Sequence, residues 1–382
     1  MRVLYVAPRY HTNQVSIMKG WLEHGHKVCF LSQFKGTSED YTVLRPVILG
    51  YSVLFELIMY LYRFLFCRNE KSDTKEFDFR SKAGFPPIGK AYKYIREFGP
   101  DFVIVRERSV YSVLFTLICK LRKIPCILYN QSPLWDKPDK NSTWKNRAFA
   151  MLFPRKRMTP VLGSRQAGAV PSANSFFVPF IVEPRYSLEE KCHFLDEKIQ
   201  VLCVGRYEER KNLFLLLEVM KELAQRYSFH LTIIGEALDD NQIEYLEKLR
   251  QKVSEYGFEP EITLRKNLEI EEVYEAYKRA DLFVLPSTRE RASIAQLEAM
   301  SCSLPVICSD TNGSACYVEN GKNGWLFRDN DGEDLKQKIE SMLSDKTNLL
   351  EMGKNSYILV NQKYQFENYY QKIMELLKET IS

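Results

Sequence analysis

The sequence predicts an α/β protein of two doubly wound parallel sheets, and three observations carry that prediction. At 382 residues the chain suits two domains, each able to bury its own core. Short apolar runs alternate with amphipathic stretches in both halves, the order of parallel strands joined by crossover helices. Charge divides near the midpoint. Residues 1–180 carry 28 Lys and Arg against 13 Asp and Glu, a balance of +15, and residues 181–382 carry 26 against 36, a balance of −10.

In the first half VLYVAP, KVCFLS, DFVIVR and PCILYN read as strands, with helices over 14–24, 88–98 and 110–122. The second half gives IQVLCVG, a helix over 212–226, HLTIIG, a helix over 241–256, ITLR, a helix over 270–280, DLFVLPS, a helix after Ser293, PVICS and a helical tail. Domains are expected at 1–182 and 199–360, with a linker at 183–198 around Pro184 and a final helix at 361–382 packing back on the first domain. Nine cysteines form no Cys-x-x-Cys pair, and several lie in apolar strand runs. They read as reduced core residues of a cytoplasmic protein, not a disulfide frame or zinc site. The apolar run before Pro8 is too short for a signal peptide. The basic first half lacks a helix-turn-helix, a zinc finger or an aromatic RNA-binding signature, so no nucleic-acid partner is expected. An anionic membrane surface or a phosphate-bearing acceptor suits it better.

Chemistry gathers where strands of the second half end, the place where doubly wound sheets bind ligands. After IQVLCV comes GRYEERKN, in which Gly205 lets the chain turn and Arg206 and Lys211 enter the crevice with groups suited to phosphate. The stretch PSTRERASIAQLEAM follows another strand. Ser293 and Gln296 have capping-box spacing, which starts a helix at Ile294. Glu290 precedes that N-terminus and Glu298 lies a turn inside it. Free amides between them suit an anion, and ionised carboxylates on either side suit hydroxyls. An anion with hydroxyls at both ends describes a nucleotide sugar; the same carboxylates also serve as solvated charges at a helix start. After PVICS, Gly313 in DTNGS can bring further amides to a ligand. No Asp-x-Asp pair or histidine cluster calls for a metal, since His11, His24, His26, His193 and His230 are scattered.

These residues carry a resemblance. VGRYEERKN, ADLFVLPSTRERASIAQLEAMSCSLPVICSDTNG and ENGKNGWLF, over roughly residues 200–330, resemble the nucleotide-sugar domain of retaining GT-B glycosyltransferases, glycosyltransferase family four, with a weaker echo in WLEHGHKV. The resemblance implies two Rossmann-like domains facing across a cleft. It implies that Arg206 and Lys211 hold the diphosphate of a UDP- or GDP-sugar and that Glu290 touches the transferred sugar. Glu298 would take the ribose, and amides around Ser293, Ile294, Gly313 and Ser314 would complete the phosphate cradle. The implied donor is a nucleotide-diphosphate sugar with no cofactor required, and the acceptor a glycan or lipid-linked saccharide of cell-surface polysaccharide or glycolipid synthesis. The chain departs from the family where Arg291 and Ala292 replace small Gly-rich residues, where RYHTNQ replaces a Gly pair, around Arg265 and Lys266 near the base pocket, and where Asn130 and Gln131 replace a histidine.

YSVLFELIMYLYRFLF, residues 51–66, is almost wholly apolar, with Ser52, Glu56 and Arg63 on one narrow stripe. It is too short and too charged to span a bilayer. It reads as a helix buried on most of its surface or as one dipping into a membrane interface, where Arg155, Lys156 and Arg157 would add attraction at the cytoplasmic face. Two other readings stay open: a noncatalytic nucleotide-sugar-binding subunit, and a nucleotide-sugar epimerase of related fold.

Overall fold

The computed structural model describes residues 1–36, 40–66, 79–107, 109–136, 156–163, 169–172 and 174–381. Its chain forms two compact units. The first comprises Met1–Pro160, Pro171–Val178 and Phe366–Ser382; the second comprises Val161–Val170 and Pro179–Gln365. Residues 183–198, expected as a linker, therefore belong to the second unit.

In the first unit the strands of the main sheet are β1 (Arg2–Ala7), β2 (Lys27–Ser32), β3 (Val47–Ile48), β4 (Phe102–Arg106), β5 (Cys126–Tyr129), β6 (Arg157–Thr159) and β7 (Ser175–Phe177). They pair in parallel in the order β3-β2-β1-β4-β5-β6-β7. Helices α1 (Val15–Glu23), α2 (Val53–Phe66), α3 (Ile88–Phe98) and α4 (Val110–Arg122) connect them. The sheet is apolar because it is covered: Val3, Leu4, Val103, Ile104, Ile127 and Leu128 are all buried. Ser109 caps α4 through a reciprocal capping box with Ser112.

The α2 stretch is not buried on most of its surface. Phe55 and Met59 are buried, but Val53 is 87% exposed and Tyr60 67%, and Leu54, Leu57, Ile58 and Leu61 are exposed as well. Glu56 on its polar stripe pairs with Arg80 at 2.9 Å, and Arg63 has its side chain outside the described residues. Among the described residues no helix is long and apolar enough to cross a membrane. In the basic cluster, Lys156 pairs with Glu379 and Arg157 with Glu107, so neither is a bare cation; Arg155 lies outside the described residues.

The second unit holds β8 (Ile199–Val204), β9 (Phe229–Gly235), β10 (Ile262–Lys266), β11 (Leu282–Leu285), β12 (Val306–Ser309) and β13 (Gly324–Phe327). They run parallel in the order β10-β9-β8-β11-β12-β13. Between them lie α5 (Leu213–Leu223), α6 (Asp240–Tyr256), α7 (Ile270–Arg279) and α8 (Ile294–Ser301), followed by α9 (Gly332–Leu343) and α10 (Lys346–Lys363). The last helix, α11 (Phe366–Ile381), belongs to the first unit. Strand order reverses between β8 and β11, which opens a crevice beyond their carboxyl ends. The loops leaving those two strands carry Gly205–Lys211 and Ser287–Glu290.

Candidate functional site

The β8 exit and the β11 exit meet through charge. Lys211 ends a short 3-10 turn, Glu209–Lys211, and is buried, as is Glu290. Lys211 Nζ lies 2.5 Å from Glu290 Oε2, and Arg210 Nη1 lies 2.5 Å from the same oxygen. Arg210 also pairs with Glu208. Burial alone raises the Glu290 carboxyl pKa, but Lys211 and Arg210 more than offset it and hold the group below the ordinary carboxylate value. Backbone bonds stitch the same loops: Thr288 N–H donates to the Arg210 carbonyl at 2.9 Å. The spacing in RYEERKN pointed to Arg206 and Lys211 and passed over Arg210. Its only sequence signal was its place beside Lys211.

Gly205 serves space, not a turn. It lacks the positive φ that would demand glycine, whereas a Cβ there would stand 3.0 Å from Lys211 Cε and 3.2 Å from Cδ. The missing side chain lets the Lys211 stem lie across the end of β8. Arg206, exposed like Arg210, faces Glu236 at 3.3 Å.

The start of α8 corrects the expected cap and cradle. Ser293 Oγ accepts from Gln296 N–H at 3.4 Å, but the Gln296 amide does not return to Ser293; it donates to the Ser314 carbonyl at 2.9 Å. Ser314 Oγ accepts from Ser293 N–H at 2.6 Å in its place. Gly313 N–H donates to the Glu290 carbonyl and Ser314 N–H to Asn312 Oδ1. Three of the four expected cradle amides are thus spent within the protein, and that of Ile294 is left at the helix N-terminus. Gly313 matters because a Cβ there would overlap the Arg291 carbonyl oxygen. It closes the two loops on each other and fixes the backbone around Glu290.

Glu298 sits apart from the cationic cluster, beside α7. The Tyr277 hydroxyl is 3.2 Å from both Glu298 Oε2 and the Ala295 carbonyl oxygen. Burial pushes the Glu298 carboxyl up to about 6, against the lowering effects of Tyr277, Arg185 and Tyr274. Arg185 stacks 3.9 Å over the Tyr274 ring. Sequence reading found Glu298 but not these partners, which come from the segment read as a linker and from α7. The eight described cysteines are free, and among the described residues no group of three or more His, Cys, Asp or Glu could hold a metal ion.

Residues 187–358 match the family described as glycosyl transferases group 1. Over those residues the second unit is similar to glycosyl transferases group 1. The chain is 34% identical over 161 residues to the sulfoquinovosyl transferase SQD2 of Arabidopsis thaliana, covering 41% of this chain and 29% of that protein. It is 29% identical to an uncharacterized glycosyltransferase of Methanocaldococcus jannaschii, covering 53% of this chain and 50% of the relative. A lipopolysaccharide core biosynthesis mannosyltransferase of Rhizobium leguminosarum bv. viciae is 25% identical over 43% of this chain and 46% of its own. The chain thus spans half or less of the length of these curated relatives. Among solved structures, Anabaena HepE in complex with UDP-glucose matches with a TM-score of 0.70 at 15% identity, over 99% of this chain and 100% of that one. Sucrose-phosphate synthase from Thermosynechococcus elongatus matches at 0.68 and 16%, over 99% and 98%. The fold of the chain is that of these solved structures, two parallel-stranded α/β sheets with surrounding helices.

Proposed function

We propose that the protein is a retaining, metal-independent glycosyltransferase that moves a sugar from a UDP- or GDP-sugar to a glycan or lipid-linked saccharide. The observation that carries the reading is the contact of Lys211 with Glu290 at the β8/β11 reversal, inside the domain that matches the family. HepE, which shares the fold, is a complex with UDP-glucose, and the Rhizobium relative is named for lipopolysaccharide core synthesis; both agree with such a donor and such a pathway.

In this reading the cluster has two settings. Without donor, Glu290 neutralises the buried ammonium of Lys211. A diphosphate entering beside Arg206 competes for that ammonium, and Glu290 keeps Arg210 as its counter-charge while its free lone pairs turn to sugar hydroxyls. Negative charge grows on the leaving diphosphate as the anomeric carbon is released, and fixed cations there favour the transition state over the ground state. The acceptor hydroxyl approaches from the leaving-group face and gives its proton toward the departing phosphate. Glu298 takes the ribose. The exposed apolar face of α2 and the basic first half fit a protein that works at the cytoplasmic face of a membrane, where a lipid-linked acceptor resides.

Lys211→Ala tests the site. Turnover should fall by about 3–4 kcal/mol in barrier. Stability should fall by less than the roughly 3–5 kcal/mol typical of a stranded buried charge, because Arg210 still neutralises Glu290. Glu290→Gln frees the Lys211 ammonium from its carboxylate, so it should strengthen nucleoside diphosphate binding while depressing transfer. Transfer assays beside calorimetry decide, and normal turnover in both variants would overturn the assignment.

A further inference from the structure

The first unit repeats the reversal geometry of the second, with order changing between β1 and β4. Arg106, the last residue of β4, stands there, one step past the Val6–Val105 pair. The loop leaving β1 brings Arg9 and His11, joined at 3.2 Å. Crevices at such reversals are where open α/β sheets take their ligands.

Arg106 is partly buried and held in place without being neutralised. Its Nη2 donates to Gln131 Oε1 at 2.8 Å, and its guanidinium lies 4.9 Å over the Tyr129 ring. Gln131 is fixed in turn, its Nε2 donating to the Tyr129 hydroxyl at 3.1 Å. The adjacent carboxylate is taken: Glu107 Oε1 accepts from Arg157 Nε at 2.7 Å and Oε2 from Asn130 Nδ2 at 2.9 Å. Among the described residues Arg106 has no acidic partner. A guanidinium offers five N–H donors in a planar fork, and its neutral neighbours use only part of them. Arg157, two strands away, received a carboxylate; Arg106 received an aromatic face and an amide, which aim the fork and leave its charge for a visitor.

We propose that the β1/β4 crevice of the first unit binds a phosphate group, with Arg106 as its anchoring cation. On the glycosyl-transfer reading, the phosphate belongs to the acceptor. The +15 balance of residues 1–180 would draw such an anion in. The phosphate can come from a soluble sugar phosphate or from a lipid headgroup, and the chemistry at Arg106 is shared.

The full chain carrying Arg206→Ala and Lys211→Ala serves as parent, which removes the two cations proposed to hold the donor diphosphate and leaves Arg210 occupied by Glu208 and Glu290. Glucose 1-phosphate is titrated by calorimetry, and vesicles of phosphatidylcholine with and without phosphatidic acid are tested by co-sedimentation. Binding by the parent should weaken at least about tenfold on Arg106→Gln and recover in part with Arg106→Lys. Gln131→Met keeps the charge but loses its aim, so it should show an intermediate loss even if Arg106→Gln folds poorly. Binding confined to glucose 1-phosphate assigns a soluble acceptor, and Arg106-dependent capture by phosphatidic acid assigns a headgroup. Undiminished binding in Arg106→Gln, or no binding of either probe by the parent, overturns the proposal. UDP binding by the unaltered chain, lost in the parent, tests the donor reading separately.

Discussion

At the scale of single residues, the two glutamates that look alike in the sequence are opposites in the fold. Glu290 is ionised by two cations, whereas Glu298 is half-buried beside tyrosines, and loss of solvent pushes its carboxyl up to about 6. A carboxyl whose folded pKa is raised holds its proton more tightly in the folded state. Stability therefore falls as pH rises from 4.5 to about 6, and the penalty is fully present above 6. Glu298→Gln should raise ligand-free stability at neutral pH by at most about 2 kcal/mol, with the gain gone below the ordinary carboxylate value. The same substitution should weaken nucleoside diphosphate and whole donor alike, since both carry the ribose. Denaturation at acidic and neutral pH, with calorimetry on both ligands, checks the two halves of this trade. A stability difference that does not change with pH would sink the first.

At the scale of elements, the turn from α8 into β12 carries avoidable strain. Ser303 adopts φ of 59° in the left-handed region, is 2% exposed, and its hydroxyl has no partner among the described residues. Gly353 makes room for it, since a Cβ there would press on the Ser303 carbonyl oxygen. Glycine tolerates this backbone and removes the orphan hydroxyl. Ser303→Gly should stabilise the chain by about 1–2 kcal/mol and raise the thermal midpoint by a few degrees. Nucleotide affinity should not move, and a lowered midpoint would show that the Ser303 side chain contributes packing that outweighs its strain.

At the scale of the whole molecule, the chain returns to its beginning. Phe366 at the start of α11 packs 5.3 Å from Trp21 and 4.7 Å from His24, centroid to centroid, over Gly20, where a Cβ would fall inside the phenyl ring. Trp21 Nε1 donates to the Tyr5 hydroxyl at 2.8 Å, which sits 3.0 Å from that of Tyr369. Seventeen residues at the carboxyl end, Phe366–Ser382, thus complete the core of the first unit. Phe366→Ala should cost that unit about 3–5 kcal/mol, while nucleoside diphosphate binding by the second unit stays intact. Calorimetric unfolding with and without UDP separates the two responses.

The sequence alone determined most elements and their order, because hydrophobic period, caps and strand ends are local properties; the strands β3, β6, β7 and β13 were not among those it marked. Helices 88–98 and 110–122 lie where the pattern put them, and the strands ending at Val204 and Leu285 deliver their loops to one crevice. It marked Lys211, Glu290 and Glu298 because their spacing is carried along the chain. Only the tertiary structure decided which charges meet. Arg210 joins Glu290 across 80 positions, Ser314 completes the cap that Gln296 was expected to close, and Gly205 and Gly313 prove to be gaps for neighbours. It also turned the apolar face of α2 outward, where residue pattern allowed either burial or exposure. Composition records how apolar or charged a segment is; whether another surface covers it or another charge answers it depends on contacts between distant segments, and those exist only once the chain has folded.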